Sequence, residues 1–411
     1  MRRVFLVLVI ILPLMLVGCV SMALPKVSSR EADMPVEPDL GPMAFSLETW
    51  EAARPELLRL FQDEVYGTYP AHARTQVLER RVLDEAAYGG RGILEDWHLS
   101  MAGFETYVAT VRPTGIDGPV PTIIMQMFCG TRAALGGRED MRQMPNAPNC
   151  DGGSWMAVPM LWIFGEHIAE PPVADILDAG YALAIVFAGD IVPDSSSRAR
   201  PALEQLVPEG DAGAIGAWAW AYSRVIDVLD AAPEFDNART AVWGHSRNGK
   251  SALLVAAFDE RVDLVIAHQA GTGGTTLSRS HNGESIAQIT EGYPHWFGPA
   301  YAGFAGREEA LSIDQHQLIA LMAPRPLFIG GAWRDAWSDP TGSFRAAQAA
   351  NPVYELYGSQ GMTQSSLGEF DPQADIAQFM RRGLHGVRAG DWRAFLAFLD
   401  AHFEAERRPA Q

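Results

Sequence analysis

The stretch Trp243-Gly244-His245-Ser246-Arg247-Asn248-Gly249-Lys250 places a serine between two contrasting segments of the chain. Residues 240–243 before it are rich in strand-forming side chains, and residues 251–257 after it have a helical composition. A serine on a sharp turn between a strand and a helix exposes its hydroxyl above the sheet edge, and the next backbone N–H faces a developing oxyanion. The stretch therefore predicts a nucleophilic serine, Ser246, that performs acyl transfer.

The remainder of the chain offers the other parts of such a site in a consistent order. Residues 106–111 and 122–127 have the β-branched content of strands, and residues 182–188, 264–268 and 326–330 are apolar runs typical of buried parallel strands. Residues 213–231 have the apolar spacing of a buried helix. Asp335 follows the last of these strands, and His385 lies in a glycine-rich loop before a closing helix at 391–403. The order serine, aspartate, histidine predicts an α/β-hydrolase fold, with a mostly parallel central sheet and helices on both faces.

Two residues near the serine distinguish this elbow from the general G-x-S-x-G pattern. Asn248 stands where the last glycine belongs, and Gly249 follows one residue later. Lys250 is one of only two lysines among 32 basic residues, the other being Lys26. Because a compact ammonium differs physically from a guanidinium fork, a lysine here indicates a requirement specific to the site.

With Arg247 and Lys250, the elbow resembles that of the glucuronoyl esterases, which reads Gly-x-Ser-Arg-x-Gly-Lys. The resemblance extends from about residue 180 to residue 403 and is carried by further stretches. These are Gly216-Ala217-Trp218-Ala219-Trp220, Leu277-Ser278-Arg279, Gly283-Glu284-Ser285, Pro294-His295-Trp296-Phe297, Asp314-Gln315-His316, Ala323-Pro324-Arg325-Pro326 and Trp337-Ser338-Asp339-Pro340. The resemblance implies hydrolysis, without a cofactor, of esters between 4-O-methyl-glucuronic acid on xylan and lignin alcohols.

The resemblance also implies a role for each matching residue. Ser246 would be the nucleophile, and Arg247 would stabilise the oxyanion through its backbone N–H and guanidinium. Lys250, Glu284 and Trp337 would bind the sugar, which suits two groups that can bond to ring hydroxyls and an indole with an apolar face. His385 would take the serine proton and return it to the leaving alcohol.

Two other functions remain open at the level of the sequence. One is a different serine carboxylesterase, such as one that removes acetyl groups from xylan; the other is a carbohydrate-binding relic with a broken triad. Intact Ser246 and His385 oppose the relic. Arg247 and Lys250 oppose the acetyl esterase, because an acetyl group offers no carboxyl-bearing ring to hold.

The triad acid is a choice between two aspartates. Some glucuronoyl esterases place a glutamate after the strand that follows the elbow, where this chain has Gln269, and an amide cannot carry the required charge. Asp335 comes directly at the end of a strand, whereas Asp339 precedes Pro340 and suits a helix cap. We expect Asp335 to be the acid and Gln269 to be a hydrogen-bonding neighbour whose removal costs little.

The N-terminus predicts export and lipidation. Residues 1–18 form a signal peptide, with Arg2 and Arg3 before an apolar run too short to span a membrane, and the run ends in a lipobox at Cys19. Residues 19–44 are expected to form a tether that has no reason to touch the site, and 45–411 a single catalytic domain. We expect an outer-membrane lipoprotein, with a secreted form as the alternative.

The remaining composition restricts partners and cofactors. A formal charge of −18 opposes nucleic acid as a partner, and the histidines and cysteines show no metal-binding spacing. We therefore expect a monomer with no metal that meets a membrane only through its lipid. Cys129 and Cys150 bracket a loop-like stretch, and export favours a disulfide between them, with two buried free thiols as the alternative.

Overall fold

The computed structural model describes Val27, residues 46–145, Ala147, Leu161 and residues 163–404. Within that part of the chain nine strands form one sheet in the order β1-β2-β3-β5-β4-β6-β7-β8-β9. The strands are β1 Thr75–Ala86, β2 Gly92–Met101, β3 Phe104–Pro113, β4 Val120–Gln126, β5 Ala182–Val186, β6 Phe235–His245, β7 Leu264–His268, β8 Leu327–Ala332 and β9 Ile376–Arg381.

The sheet has an antiparallel side and a parallel side. Strands β1, β2, β3 and β5 pair antiparallel, whereas β5, β4, β6, β7, β8 and β9 pair parallel. Every residue of β4, β5, β7 and β8 is buried, as expected for parallel strands covered on both faces. The predicted α/β-hydrolase sheet is therefore confirmed.

The helices are numbered in chain order. They are α1 Leu47–Phe61, α2 Val173–Asp178, α3 Ser196–Leu206, α4 Ala214–Leu229, α5 Arg247–Phe258, α6 Ile286–Gly292, α7 Gln315–Ala320, α8 Pro340–Leu356 and α9 Ala389–Phe403. Single helical turns lie at Ala87–Gly90 and Thr131–Ala134, and a π-helical turn, Gln62–Tyr66, extends α1. Among these described helices, none has the length and apolar character that crossing a bilayer requires.

Alternating side chains of the parallel strands build a core on each face of the sheet. Val242 and Val265 contribute to one cluster, with residues of α1, α4, α5, α7 and α8. Trp243 and Ile266 contribute to the other, with residues of α2 and α9. The aromatic residues of α4, Trp218, Trp220 and Tyr222, belong to the first cluster. This confirms the prediction that residues 213–231 form a buried helix.

The fold differs from the sequence prediction at the two edges of the sheet. The prediction has no β1–β2 hairpin, because the edge strand β1 is mostly exposed and carries charged residues in place of an alternating apolar pattern. It also has no β9, because Gln378 interrupts the apolar run. Gln378 is fully buried, and its amide donates to the Pro340 carbonyl at 2.9 Å, so the strand tolerates it.

Candidate active site

Ser246 lies at the carboxyl end of β6, near the middle of the sheet, and immediately precedes α5. Its backbone has φ 57° and ψ −124°, a strained conformation for a residue with a side chain. Gly244 makes this turn possible, since a Cβ atom there would lie 1.9 Å from the Asn248 carbonyl oxygen. The Ser246 N–H donates to the His268 carbonyl at 2.8 Å, which fastens the turn to β7. The geometry is that of the predicted nucleophile elbow.

The departure from the general elbow pattern has a physical explanation. Asn248 is buried and donates from Nδ2 to the Gln126 carbonyl at the end of β4, 3.0 Å away. The crowded position is the next one, because a Cβ atom on Gly249 would lie 3.0 Å from the Gly244 carbonyl oxygen. Asparagine therefore fits at 248, while glycine is favoured at 249.

The structure brings His385 and Asp335 together beside this elbow. His385 Nδ1 lies 2.9 Å from Asp335 Oδ2, and the His385 ring centroid is 4.5 Å from that of His245, the residue before the serine. Because a carboxylate only accepts hydrogen bonds, Nδ1 carries the proton and Nε2 is left as the basic nitrogen. This tautomer is the one that a general base for Ser246 requires.

Asp335 is held in its ionised form. Burial alone would raise the pKa of its carboxyl, but His385 and hydrogen bonds from Ser338 outweigh burial and hold that pKa below its usual value. A carboxylate that stays charged can stabilise the imidazolium formed during the reaction.

Asp339 is placed differently from Asp335. Its Oδ1 accepts from the Gly342 N–H at 2.9 Å, which caps the start of α8, and its other oxygen accepts from the Ser280 hydroxyl. The cap that the sequence predicts for Asp339 is thus confirmed.

Arg247, at the start of α5, lies beside the elbow. As the first residue of the helix it has no intrahelical acceptor for its N–H, so that donor is available to an oxyanion. Its guanidinium lies over the Phe128 ring, 4.5 Å from the centroid, and its Nε is 3.0 Å from Asp194 Oδ2.

Asp194 is a site residue that sequence reasoning missed. Its Oδ1 accepts from His295 Nε2 at 2.9 Å and from Trp296 Nε1 at 2.8 Å. Burial would raise the pKa of Asp194, but these bonds and the Arg247 charge lower it overall. Nothing in the sequence around Asp194 indicates its contact with Arg247.

Lys250 is almost fully buried, with 3% of its surface exposed. Its Nζ donates to the carbonyl oxygens of Ala270 and Thr272, each at 2.5 Å. Burial lowers its pKa to about 8, and the charge of Glu284 opposes that shift. Because an ammonium has three protons and these carbonyls accept two, one proton remains for a ligand hydroxyl.

Glu284 and Trp337 are brought together next to Lys250. The Glu284 N–H donates to the Trp337 carbonyl at 2.9 Å, and the Trp337 side chain favours the charged form of the Glu284 carboxyl. Burial raises the pKa of Glu284, against the opposing effect of Lys250. Trp337 remains 53% exposed, so an apolar indole surface lies open to solvent beside two polar groups. This arrangement suits a sugar ring.

The other site predictions fall partly outside the described residues. Cys129 is disulfide-bonded, but Cys150 and Cys19 lie outside the described part, so the pairing of Cys129 with Cys150 stays a prediction. Within that part, no group of three potential metal ligands is found. Of residues 19–44 only Val27 is described, and its N–H donates to the Trp333 carbonyl at 2.9 Å. Trp333 lies two residues before Asp335 but is not one of the proposed site residues, so the expectation that this segment does not touch the site stays a prediction.

A strained serine at a strand-to-helix turn, an imidazole oriented by a carboxylate and an adjacent N–H donor define a serine hydrolase of the α/β-hydrolase fold. The family model described as "Glucuronyl esterase, fungi" matches residues 162–358. The chain is 32% identical over 377 residues to "Carbohydrate esterase MZ0003" from an unknown prokaryotic organism, covering 88% of this chain and 87% of that protein.

Two further relatives carry more specific names. The 4-O-methyl-glucuronoyl methylesterase of Phanerochaete carnosa is 36% identical over 156 residues, covering 36% of this chain and 38% of that protein. The structure of the glucuronoyl esterase from Solibacter usitatus superimposes with a TM-score of 0.77 at 29% identity, covering 91% of this chain and all of that one. The chain belongs to the glucuronoyl esterases, carbohydrate esterase family 15, and is a carboxylic ester hydrolase.

Proposed function

We propose that this protein hydrolyses esters in which the acyl group is glucuronic or 4-O-methyl-glucuronic acid, as carried on xylan, and the alcohol belongs to lignin. The observation that carries the proposal is the group formed by Lys250, Glu284 and Trp337 beside the elbow. It offers an ammonium proton, a carboxylate and an exposed indole face to one ring. The names of the relatives support the same substrate class.

The residues divide the reaction between them. His385 Nε2 takes the Ser246 proton as the hydroxyl oxygen attacks the ester carbonyl, and the Arg247 N–H stabilises the oxyanion. Asp335 stabilises the imidazolium, which returns the proton to the departing alcohol oxygen. Water then hydrolyses the acyl-serine by the same steps, and His385 ends neutral.

The test of this substrate class compares two activities of the mature protein. Release of the alcohol from alkyl or aryl esters of glucuronic acid should be far faster than release of acetate from acetylated xylan. The reason is that an acetyl group leaves Lys250, Glu284 and Trp337 without a ligand. Equal rates would favour the acetyl esterase instead.

Substrate binding should depend on the charge of Lys250. Because its pKa is lowered to about 8, the ammonium form predominates below that pH and is lost as the pH rises through it. We expect KM for a glucuronate ester to be several-fold higher at pH 9.5 than at pH 7, with kcat changing less. Steady-state kinetics corrected for spontaneous hydrolysis provide the measurement.

The variant Lys250→Met is the control for this pH effect. It keeps much of the side-chain volume but has no ammonium, so its KM should be high at both pH values. A wild-type KM that is the same at pH 7 and pH 9.5 would contradict a role for the Lys250 charge in binding.

We also propose that the mature chain is held at the outer membrane by a lipid on Cys19. Support comes from the lipobox at Cys19, which ends a basic and then apolar segment typical of an export signal. The eight residues from Cys19 to Val27 can span at most about 28 Å, which would keep the site near the membrane surface.

The variant Cys19→Ala should be found in the soluble fraction, in an active form. A variant that stays bound to the membrane would indicate an uncleaved apolar anchor instead of a lipid.

A further inference from the structure

We propose that Gln269 is a positioning residue that fixes the distance and orientation between Asp335 and His385. Gln269 directly follows β7. In the sheet, β7 lies between β6, which ends at the nucleophile, and β8, which leads to the acid. The proposal rests on the serine-esterase mechanism described above and adds a residue to it. It replaces the expectation from the sequence that removal of Gln269 costs little, because the structure bonds both ends of its amide.

The Gln269 side chain joins the two partners of the acid–base pair. Its Nε2 donates to Asp335 Oδ2 at 2.9 Å, the same oxygen that accepts from His385 Nδ1. Its Oε1 accepts from the N–H of Gly386, the residue after His385, at 2.8 Å. One amide therefore holds the acid by its donor end and the loop of the base by its acceptor end.

The backbone of Gln269 is itself held in place. Its φ is 49°, in the left-handed region that costs a side-chain-bearing residue energy, and it is 2% exposed. Its N–H donates to the Gly330 carbonyl at 2.9 Å, which continues the pairing of β7 with β8. A strained backbone conformation persists only where the surrounding contacts hold it in place. Ser246 and Gln269 are both strained in this way, each directly after the end of one of two neighbouring strands.

The chemical type of the side chain matters as well as its position. An amide supplies a donor to Asp335 and an acceptor to Gly386 without adding charge. A carboxylate at 269 would place a second negative charge beside Asp335 and favour the protonated form of His385. Other ionisable groups act on this pair or on the histidines that pack behind it, namely His245, His268, Glu284, Arg247, Arg381 and Asp391.

The neighbouring histidines do not supply a competing titration near neutral pH. Burial, and then nearby positive charges, hold the pKa of His245 well below its usual value, and burial lowers the pKa of His268 to about 3. Both rings are therefore neutral where the enzyme would act, and they contribute no titration near neutral pH. The Asp391 carboxyl, whose pKa burial raises to about 6, lies 3.8 Å from His268 Nε2 and is common to the wild type and both variants, so a difference between their profiles is assigned to the Asp335–His385 pair.

The test measures kcat, KM and the pH dependence of kcat/KM for Gln269→Leu and Gln269→Glu, with any ester that the wild type hydrolyses. Gln269→Leu should lower kcat about 10- to 100-fold with KM changed less than about threefold, since only the acid–base geometry is lost. Gln269→Glu should move the acid limb of the profile upward by about one pH unit or more.

A control exists in Gln364, a second buried glutamine whose side-chain amide is also bonded at both ends, in its case to backbone groups. Its Nε2 donates to the Gln378 carbonyl at 2.8 Å, and its Oε1 accepts from the Gln378 N–H at 2.6 Å, on β9. Gln364→Leu and Gln364→Glu should leave kcat and the profile near those of the wild type.

Two results would overturn the proposal. One is a Gln269→Glu profile that superimposes on that of the wild type; the other is a loss of kcat in Gln269→Leu no larger than in Gln364→Leu. If Gln269→Leu does not fold, Gln269→Glu alone decides. The test can use any ester that the wild type hydrolyses, so it remains valid if the protein does not prefer glucuronate esters. A wild type that hydrolyses no ester would refute the proposed function instead.

Discussion

The variant Ser246→Ala should lose hydrolysis of every ester that the wild type accepts, with kcat lowered about 10⁴-fold or more. Ser246 Oγ is the only protein atom that forms a covalent bond to the acyl group in the proposed mechanism, and the remaining groups can stabilise only slow direct attack by water. Steady-state and single-turnover kinetics at saturating substrate provide the measurement.

Ser251→Ala is the matched control for this loss. Ser251 lies in the same helix and is buried, with its hydroxyl donating to the Gln126 side chain at 3.0 Å. Its removal should cost some stability but leave kcat within an order of magnitude of the wild type. Substantial activity in Ser246→Ala would refute the nucleophile.

The second large effect is expected for Asp335→Asn, which should lower kcat by about 10³- to 10⁴-fold. An amide can donate to His385 Nδ1 and so favour the wrong tautomer, and it carries no charge to stabilise the imidazolium. Because asparagine keeps the size of the side chain, the midpoint temperature of thermal unfolding should stay close to that of the wild type. The loss of kcat would then not reflect unfolding.

Asp339→Asn separates this role from that of a helix cap. Asparagine also accepts from a backbone N–H, so kcat should stay near that of the wild type, with a loss of stability of at most about 1 kcal/mol. A larger loss of kcat in Asp339→Asn than in Asp335→Asn would assign the acid to Asp339. No loss in either would leave Ser246 and His385 acting as a dyad.

The sequence predicts the parts of this site that depend on local chain order. The elbow at Ser246, the strand before Asp335 and the cap at Asp339 are each decided by a few neighbouring residues, and the fold rule then fixes which strand ends meet. The order serine, aspartate, histidine predicts the site even though the predicted fold lacks β9. Asp335 and His385 keep their order along the chain whether or not a strand lies between them.

The sequence does not predict the contacts that orient the catalytic groups. Asp194 lies 53 positions before Arg247, and Gln269 is 66 positions before Asp335, so only the packed sheet brings each pair together. For Gln269 the sequence offered one partial signal, an amide where some relatives have an acid. An amide at position 269 excludes a negative charge there, but the sequence cannot show that both ends of the amide are hydrogen-bonded.

Burial also changed the interpretation of Lys250. Its rarity in an arginine-rich chain predicts a requirement specific to the site, and the structure buries the side chain beside the elbow. Rarity could not show that two of its protons bond to the Ala270 and Thr272 carbonyls. Lys250 therefore also holds the loop after β7.

The most direct test of the account is the ratio of kcat/KM for benzyl glucuronate to kcat/KM for benzyl acetate. The two esters share the alcohol, so the ratio reports recognition of the acyl group by Lys250, Glu284 and Trp337. We expect a ratio of about 10² or more in the wild type, falling at least tenfold in Lys250→Met. A ratio near one in the wild type would contradict the claim that this serine esterase is built to hydrolyse esters of glucuronic acid.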